Sequence, residues 1–297
     1  MTLPQLLPGF IAVLGAALAL PAARAALVEQ VIQVPVAVVD RFGKSIAQDI
    51  TVTLFFDDAA PRPYPALVLN HGRAVEPIDR AAIGRARYSA NAHWLAQLGF
   101  LVAVPTRIGY GVTGGEDVED SGSCSAKRYA PGYEAAARQT LAVLHALRQR
   151  ADVAPARAVV MGQSYGGTTA IAVAAHNPPG VQAAINFAGG GGGNPKTRPG
   201  DPCQPGRLED LFTDYGKTAR LPTLWIYTEN DRYIGARLPR EWFDAFRAAG
   251  GTGQFVRFGP HGEDGHALFT RGPEVWRGTV LKFLREHGYP ELPEPTP

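Results

Sequence analysis

Six consecutive residues near the middle of the chain, Gly162, Gln163, Ser164, Tyr165, Gly166 and Gly167, contain the pattern G-x-S-x-G. A serine hydroxyl becomes a nucleophile when it is held in the open and a neighbouring base takes its proton. In this pattern the serine stands on so sharp a strand-to-helix turn that side chains two positions to either side would collide, and glycine fills both places. With six serines and 34 glycines in 297 residues, the pattern is expected by chance about 0.08 times. An acid and then a histidine should follow such a serine. The histidines beyond it are His176, His261, His266 and His287. His176 and His287 fall in predicted helices and read as surface or helix-terminal residues. The base is therefore sought in the loop 260–266. His266 is the choice, because Gly265 frees the backbone before it and Ala267, Leu268 and Phe269 can anchor the loop after it; His261 is the alternative. The acid is Asp231, just past a predicted strand end where a turn can aim it at the histidine, with Glu229 as alternative.

A negatively charged intermediate needs backbone N–H donors. Those of Tyr165, at the start of a helix, and Arg73, after Asn70-His71-Gly72, form the candidate oxyanion hole. His71 precedes the serine and is read as a structural residue. Arg107 and Tyr110, on a glycine-rich loop after a predicted strand, are candidate substrate contacts. The guanidinium groups of Arg73 and Arg107 together would favour an ester bearing a carboxylate. The competing expectation for Arg107 is an ion pair with one of the acids at 116, 117, 119 or 120. Three further patterns carry no chemistry. Gly109, Gly111 and Gly114 spell G-x-G-x-x-G, but no helix begins inside that motif as dinucleotide binding requires. The glycine run 189–193 lacks the Gly-Lys-Ser/Thr ending of a phosphate loop. His261 and His266 are five apart with glycines between, unlike the helical spacing of a metal site, and no metal is expected.

The elements that must position these residues follow from hydrophobic runs. Residues 31–39 and 50–56 read as an antiparallel hairpin. Nearly continuous apolar runs at 66–69, 100–104, 157–161, 181–187, 223–227 and 254–258 suit strands buried on both faces. Helical spacing marks 132–150 most clearly, and also 88–98, 165–176, 239–249 and 273–287. Strands alternating with helices imply a mostly parallel sheet covered on both sides. Residues 189–205, rich in glycine and proline, read as an irregular excursion between strands, and the proline-rich tail 291–297 as frayed.

The chain is 45% hydrophobic and 19% charged, with a formal net charge of +2 dispersed along it. This fits one large buried core, and gives no basic groove for nucleic acid and no polybasic membrane patch. Residues 10–20 are an apolar run, followed by Pro21 and Ala23-Arg24-Ala25. Residues 1–25 are read as an export signal, although no Lys or Arg precedes the run. The run falls short of the roughly 20 apolar residues of a spanning helix. The rest, 26–297, is read as one domain. Export to an oxidising compartment leads to the expectation that Cys124 and Cys203 form a disulfide.

Taken together, residues 162–167, 70–72, 107–115, 227–233 and 263–269 resemble the dienelactone-hydrolase-related branch of the α/β-hydrolases, over nearly the whole chain beyond the signal. The resemblance implies an eight-stranded sheet without a large cap domain, a triad of Ser164, Asp231 and His266, and no cofactor. Dienelactone hydrolases proper carry a cysteine nucleophile, whereas this elbow holds Ser164. The expected activity is accordingly hydrolysis of a small-molecule carboxylic ester through an acyl-enzyme. A peptidase or acyltransferase would use the same triad, and a catalytically silent binding protein is a third reading.

Overall fold

The computed structural model describes Met1 and residues 26–293; the rest of the segment read as an export signal lies outside the described residues. Eight strands form one sheet: β1 (Leu27–Val39), β2 (Ser45–Asp57), β3 (Tyr64–Asn70), β4 (Leu101–Thr106), β5 (Val153–Gln163), β6 (Val181–Phe187), β7 (Thr223–Thr228) and β8 (Gly253–Phe258). Their order is β1-β2-β4-β3-β5-β6-β7-β8. The expected hairpin is present, with β1 and β2 paired antiparallel from Leu27 opposite Asp57 to Val39 opposite Ser45. Asp40 closes its turn by accepting from the N–H groups of Phe42 and Lys44 at 2.8 and 2.9 Å. β2 also runs antiparallel to β4, and all remaining pairs are parallel.

The helices are α1 (Pro77–Ala81), α2 (Ser89–Gln97), α3 (Tyr129–Arg148), α4 (Tyr165–Ala175), α5 (Pro205–Thr218), α6 (Leu238–Ala248), α7 (Leu268–Arg271) and α8 (Pro273–Glu286). Successive side chains of a strand point to opposite faces, so the continuous apolar runs serve two cores at once. Leu67, Leu69, Val102, Val104 and Met161 pack with Leu95 of α2 and Trp276 and Val280 of α8. On the other face Val68 and Val160 pack with Val143 and Leu147 of α3 and Val173 of α4. A third cluster joins Leu208 and Phe212 of α5 to Trp225 of β7 and Trp242 and Phe246 of α6.

The irregular reading of 189–205 fails at its end, where α5 begins at Pro205. Leu208, Leu211 and Phe212 bury one stripe at helical spacing, and proline suits the first turn because its missing N–H would have no partner there. The tail is also anchored further than expected: Leu292 is buried and Glu291 pairs with Arg157.

The chain runs from β3 outward to β4 and then returns to place β5 on the other side of β3. The order reverses between β3 and β5, and in open α/β sheets the crevice at the carboxyl ends of such strands is where ligands bind. Asn70 at the end of β3 pairs with Gly162 at the end of β5. This register places the 71–73 turn beside Ser164.

Candidate active site

Ser164 lies between β5 and α4 with φ of 58° and ψ of −123°, a conformation that a residue with a side chain rarely adopts. Its N–H donates to Phe187 O at 2.8 Å, and its own carbonyl accepts from Gly167 and Thr168, so its backbone is already held by β6 and by the first turn of α4. The glycines are required by space. A Cβ on Gly162 would run into the Gly166 carbonyl, and one on Gly166 would lie 2.6 Å from His71 O while striking Asn70 O. Tyr165 and Gly166 are the first helical residues, whose N–H groups have no acceptor within the helix.

The candidate base and acid meet as the sequence order implies. His266 Nδ1 and Asp231 Oδ2 are 2.8 Å apart, and both side chains are buried. Asp231 Oδ1 accepts from the N–H groups of Tyr233 and Ile234 at 2.8 and 2.9 Å, so both carboxylate oxygens are engaged. Tyr233 stacks on the imidazole at 4.2 Å, and Asp264 accepts the His266 N–H at 3.0 Å. Burial alone would lower the His266 pKa, but the charge and hydrogen bond of Asp231, together with the charge of Asp264, outweigh it and raise the value above 6.5. Ser164 and His266 border the same cavity. The two alternatives lie elsewhere. The side chain of Glu229 is exposed, and the His261 ring packs against Gly272.

The 71–73 turn passes so close to the serine that a Cβ on Gly72 would sit 3.2 Å from Ser164 Cβ and 3.8 Å from its Oγ. His71 holds this turn from beneath. Its Nε2 is 3.3 Å from the Arg107 N–H, which can only donate, so Nε2 accepts and Nδ1 carries the proton donated to Gly72 O at 2.6 Å. Burial, with the charge of Arg107, keeps the His71 pKa well below the ordinary range, and the ring stays neutral.

A second support was not legible in the sequence. Tyr88 Oη accepts from the Gly72 N–H at 3.2 Å and donates to Gln163 Oε1 at 2.8 Å; Gln163 Nε2 then donates to His266 O at 3.0 Å. One chain of hydrogen bonds thus joins the turn after β3, the residue before the serine and the histidine loop. Gln163 occupies a variable position of the motif and Tyr88 sits 76 residues upstream of Ser164, so neither spacing nor residue type announced them.

The expectation that Arg107 contacts substrate is corrected by its surroundings. Arg107 and Glu119 are both fully buried and ion-paired, and the guanidinium also donates to His71 O at 2.9 Å. Tyr110 borders the cavity, but its hydroxyl is engaged, donating to Glu119 at 2.5 Å and accepting from Arg73 at 3.1 Å. Arg73 forms a fork with Asp117, at 2.7 Å for one arm and 2.5 Å for the other, and Arg80 binds the same carboxylate at 3.0 Å. Neither arginine fork is open to a substrate carboxylate. The G-x-G-x-x-G segment is a tight turn in which the Gly109 N–H donates to Gly114 O at 2.7 Å. Cys124 and Cys203 are joined by a disulfide, with Cα atoms 5.0 Å apart, tying the segment after β4 to the one after β6.

Comparison with known proteins agrees with this architecture. The model of the dienelactone hydrolase family matches residues 81–282. No curated protein matches the chain in sequence. Among solved structures, an acetyl xylan esterase from Paenibacillus sp. R4 is 16% identical, with a TM-score of 0.57 over 88% of this chain and 89% of that one. An esterase from Pyrococcus furiosus is 13% identical, with a TM-score of 0.55 over 86% and 90%. An acylaminoacyl peptidase from Pyrococcus horikoshii is 13% identical, with a TM-score of 0.57 over 90% of this chain and 42% of that one. At these identities the likeness is one of fold.

The packing of the elbow makes a direct prediction. Gly162→Ala should lower unfolding free energy by about 3 kcal/mol, since its new methyl meets backbone that cannot swing aside. Gly206→Ala, with nothing within 4 Å of the added carbon, should cause no loss. Chemical denaturation of the two variants against wild type checks both.

Proposed function

The chain belongs to the dienelactone hydrolase family, and on that footing we propose that it is a serine hydrolase that cleaves carboxylic esters, with Ser164 as nucleophile, His266 as base and Asp231 as the acid that orients it. The observation that carries this reading is the coincidence at one cavity of a strained, partly buried serine and a histidine held by a buried carboxylate. His266 takes the Ser164 proton as Oγ attacks the ester carbonyl, and Asp231 stabilises the imidazolium that results. The N–H groups of Arg73 and Tyr165 receive the developing oxyanion, each contributing about 3 kcal/mol to the transition state. His266 returns the proton to the leaving alcohol, and water then releases the acyl group by the same steps in reverse. No step calls for a cofactor. Cleavage of an amide is the second reading, favoured by the fold shared with the acylaminoacyl peptidase; a matched ester and amide of one acid distinguish the two. The disulfide suits an oxidising compartment and so favours export. Among the described residues no helix is long and apolar enough to cross a membrane.

Three kinetic outcomes are expected. Ser164→Ala should lower kcat on a short-chain ester by about a millionfold, and Asp231→Asn by about 10⁴-fold. Glu229→Gln and His261→Ala should leave it nearly unchanged, and steady-state assays of the four variants check the assignment. The base must be neutral to act, so kcat/KM should fall as pH drops through a midpoint above 6.5, and the plateau should lie on the alkaline side. Tyr88→Phe keeps the ring that packs on Phe269 but breaks the chain from Gly72 to Gln163. It should lower kcat by about tenfold, the equivalent of one net hydrogen bond, with little change in KM.

A further inference from the structure

Two cavities meet at Ser164 and share the walls Arg73, Ala74 and Tyr233. The first, of about 340 Å³, runs toward the glycine run, Tyr129 and Lys127. The second, of about 370 Å³, runs toward Ile83, Arg87 and Tyr88, and of the two it is the one that His266 borders. In acyl transfer through serine the histidine hands its proton to the leaving oxygen, so the leaving alcohol lies on the histidine's side. The acyl half then occupies the other side. On the esterase reading above, on which this inference rests, the first cavity receives the acyl group and the second the alcohol.

The charges around the first cavity are paired, with one exception. Asp117 is held by Arg73 and Arg80, and Asp120 by Arg41 at 2.7 Å. Lys127 is half-buried and donates to two neutral acceptors, Ser121 Oγ at 3.2 Å and Gly122 O at 2.6 Å. It enters no ion pair among the described residues, and an ammonium has a third proton to give. Burial, together with the charges of Arg73 and Arg41, lowers its pKa by more than the charges of Asp120 and Asp117 raise it. In the second cavity the arginines at the rim, Arg85 and Arg87, share Glu29.

The wall that carries Lys127 is also fixed in place. Cys124, three residues before it, is bonded to Cys203, whose N–H donates to Gly192 O at 3.0 Å and whose carbonyl accepts the Tyr129 hydroxyl. Gly192 has φ of +75°, and a Cβ there would strike that hydroxyl. The glycine run, the disulfide and Lys127 therefore form a single wall. We infer that the first cavity is an acyl site for acids bearing a second, ionised carboxylate, and that Lys127 is the residue that reads that charge.

The test compares matched esters by proton release at fixed pH. Monoethyl succinate, glutarate and adipate are paired with ethyl butanoate, pentanoate and hexanoate, and 4-acetoxybutanoate, charged on the alcohol half, is paired with butyl acetate. Wild type should favour at least one monoethyl dicarboxylate over its neutral match by roughly tenfold or more in kcat/KM, mainly through KM. Lys127→Gln should abolish that ratio, Lys127→Arg should retain most of it, and the alcohol-side ratio should be the same in all three proteins. The inference is overturned if wild type shows no acyl-side preference, if the preference survives Lys127→Gln, or if the alcohol-side ratio falls with it. Absence of Ser164-dependent turnover of every ester would instead overturn the esterase reading beneath it.

Discussion

Three stretches of backbone come together where β3 and β5 end, and no side chain fits between them. The carbonyls of Asn70 and His71 press on Gly166, and the Gly166 carbonyl presses on Gly162. This close approach forces the chain through Ser164 into its positive φ, and the backbone bonds from Phe187, Gly167 and Thr168 hold it there. Strain of this kind costs about 1–3 kcal/mol and persists only where the surroundings over-determine it. Here they do, because the two strands are neighbours in register, with Asn70 opposite Gly162. The proximity of the 71–73 turn to the serine is thus a consequence of sheet topology rather than of any loop preference.

Around that contact the molecule builds supports of two kinds. On one side, neutral hydrogen bonds through Tyr88 and Gln163 tie the turn to the histidine loop. On the other, the buried pair Arg107 and Glu119 sits behind His71 and fixes its tautomer through the Arg107 N–H. Removing two charges from water is costly, and such pairs often add little net stability. Arg107 serves here as a positioning residue: it holds a turn whose carbonyl and N–H groups must be correctly placed, and its guanidinium lies over the Tyr165 ring at 5.7 Å.

Much of this was legible in the sequence for physical reasons. The glycines of the elbow are demanded by space, so the motif located the strained turn at Ser164. The position of Asp231 just past a strand end made it reachable from the His266 loop, and the 2.8 Å contact follows from that. The six continuous apolar runs marked β3 to β8, and the hairpin reading marked β1 and β2, whose first residues lie four and five positions earlier than read. Other features left no such trace. Helix α5 begins at a proline inside a stretch dominated by glycine and proline, and its apolar stripe became visible only against α6 and Trp225. Arg107 could be read either as a substrate contact or as the partner of an acid at 116, 117, 119 or 120, and only the folded chain shows that Glu119 takes it. Lys127, conversely, lies among acids at 116–120 that would be presumed its partners, yet those acids are engaged by Arg41, Lys44, Arg73, Arg80 and Arg107.

The central claim is that Ser164 is a nucleophile activated by His266. Its most direct test is covalent capture: treat the protein with a fluorophosphonate, digest it and locate the adduct by mass spectrometry, in wild type and in His266→Ala. A single adduct on the peptide that contains Ser164, with modification largely lost in His266→Ala, is the predicted result. An adduct on another residue, or equal labelling of Ser164 in the two proteins, would contradict it.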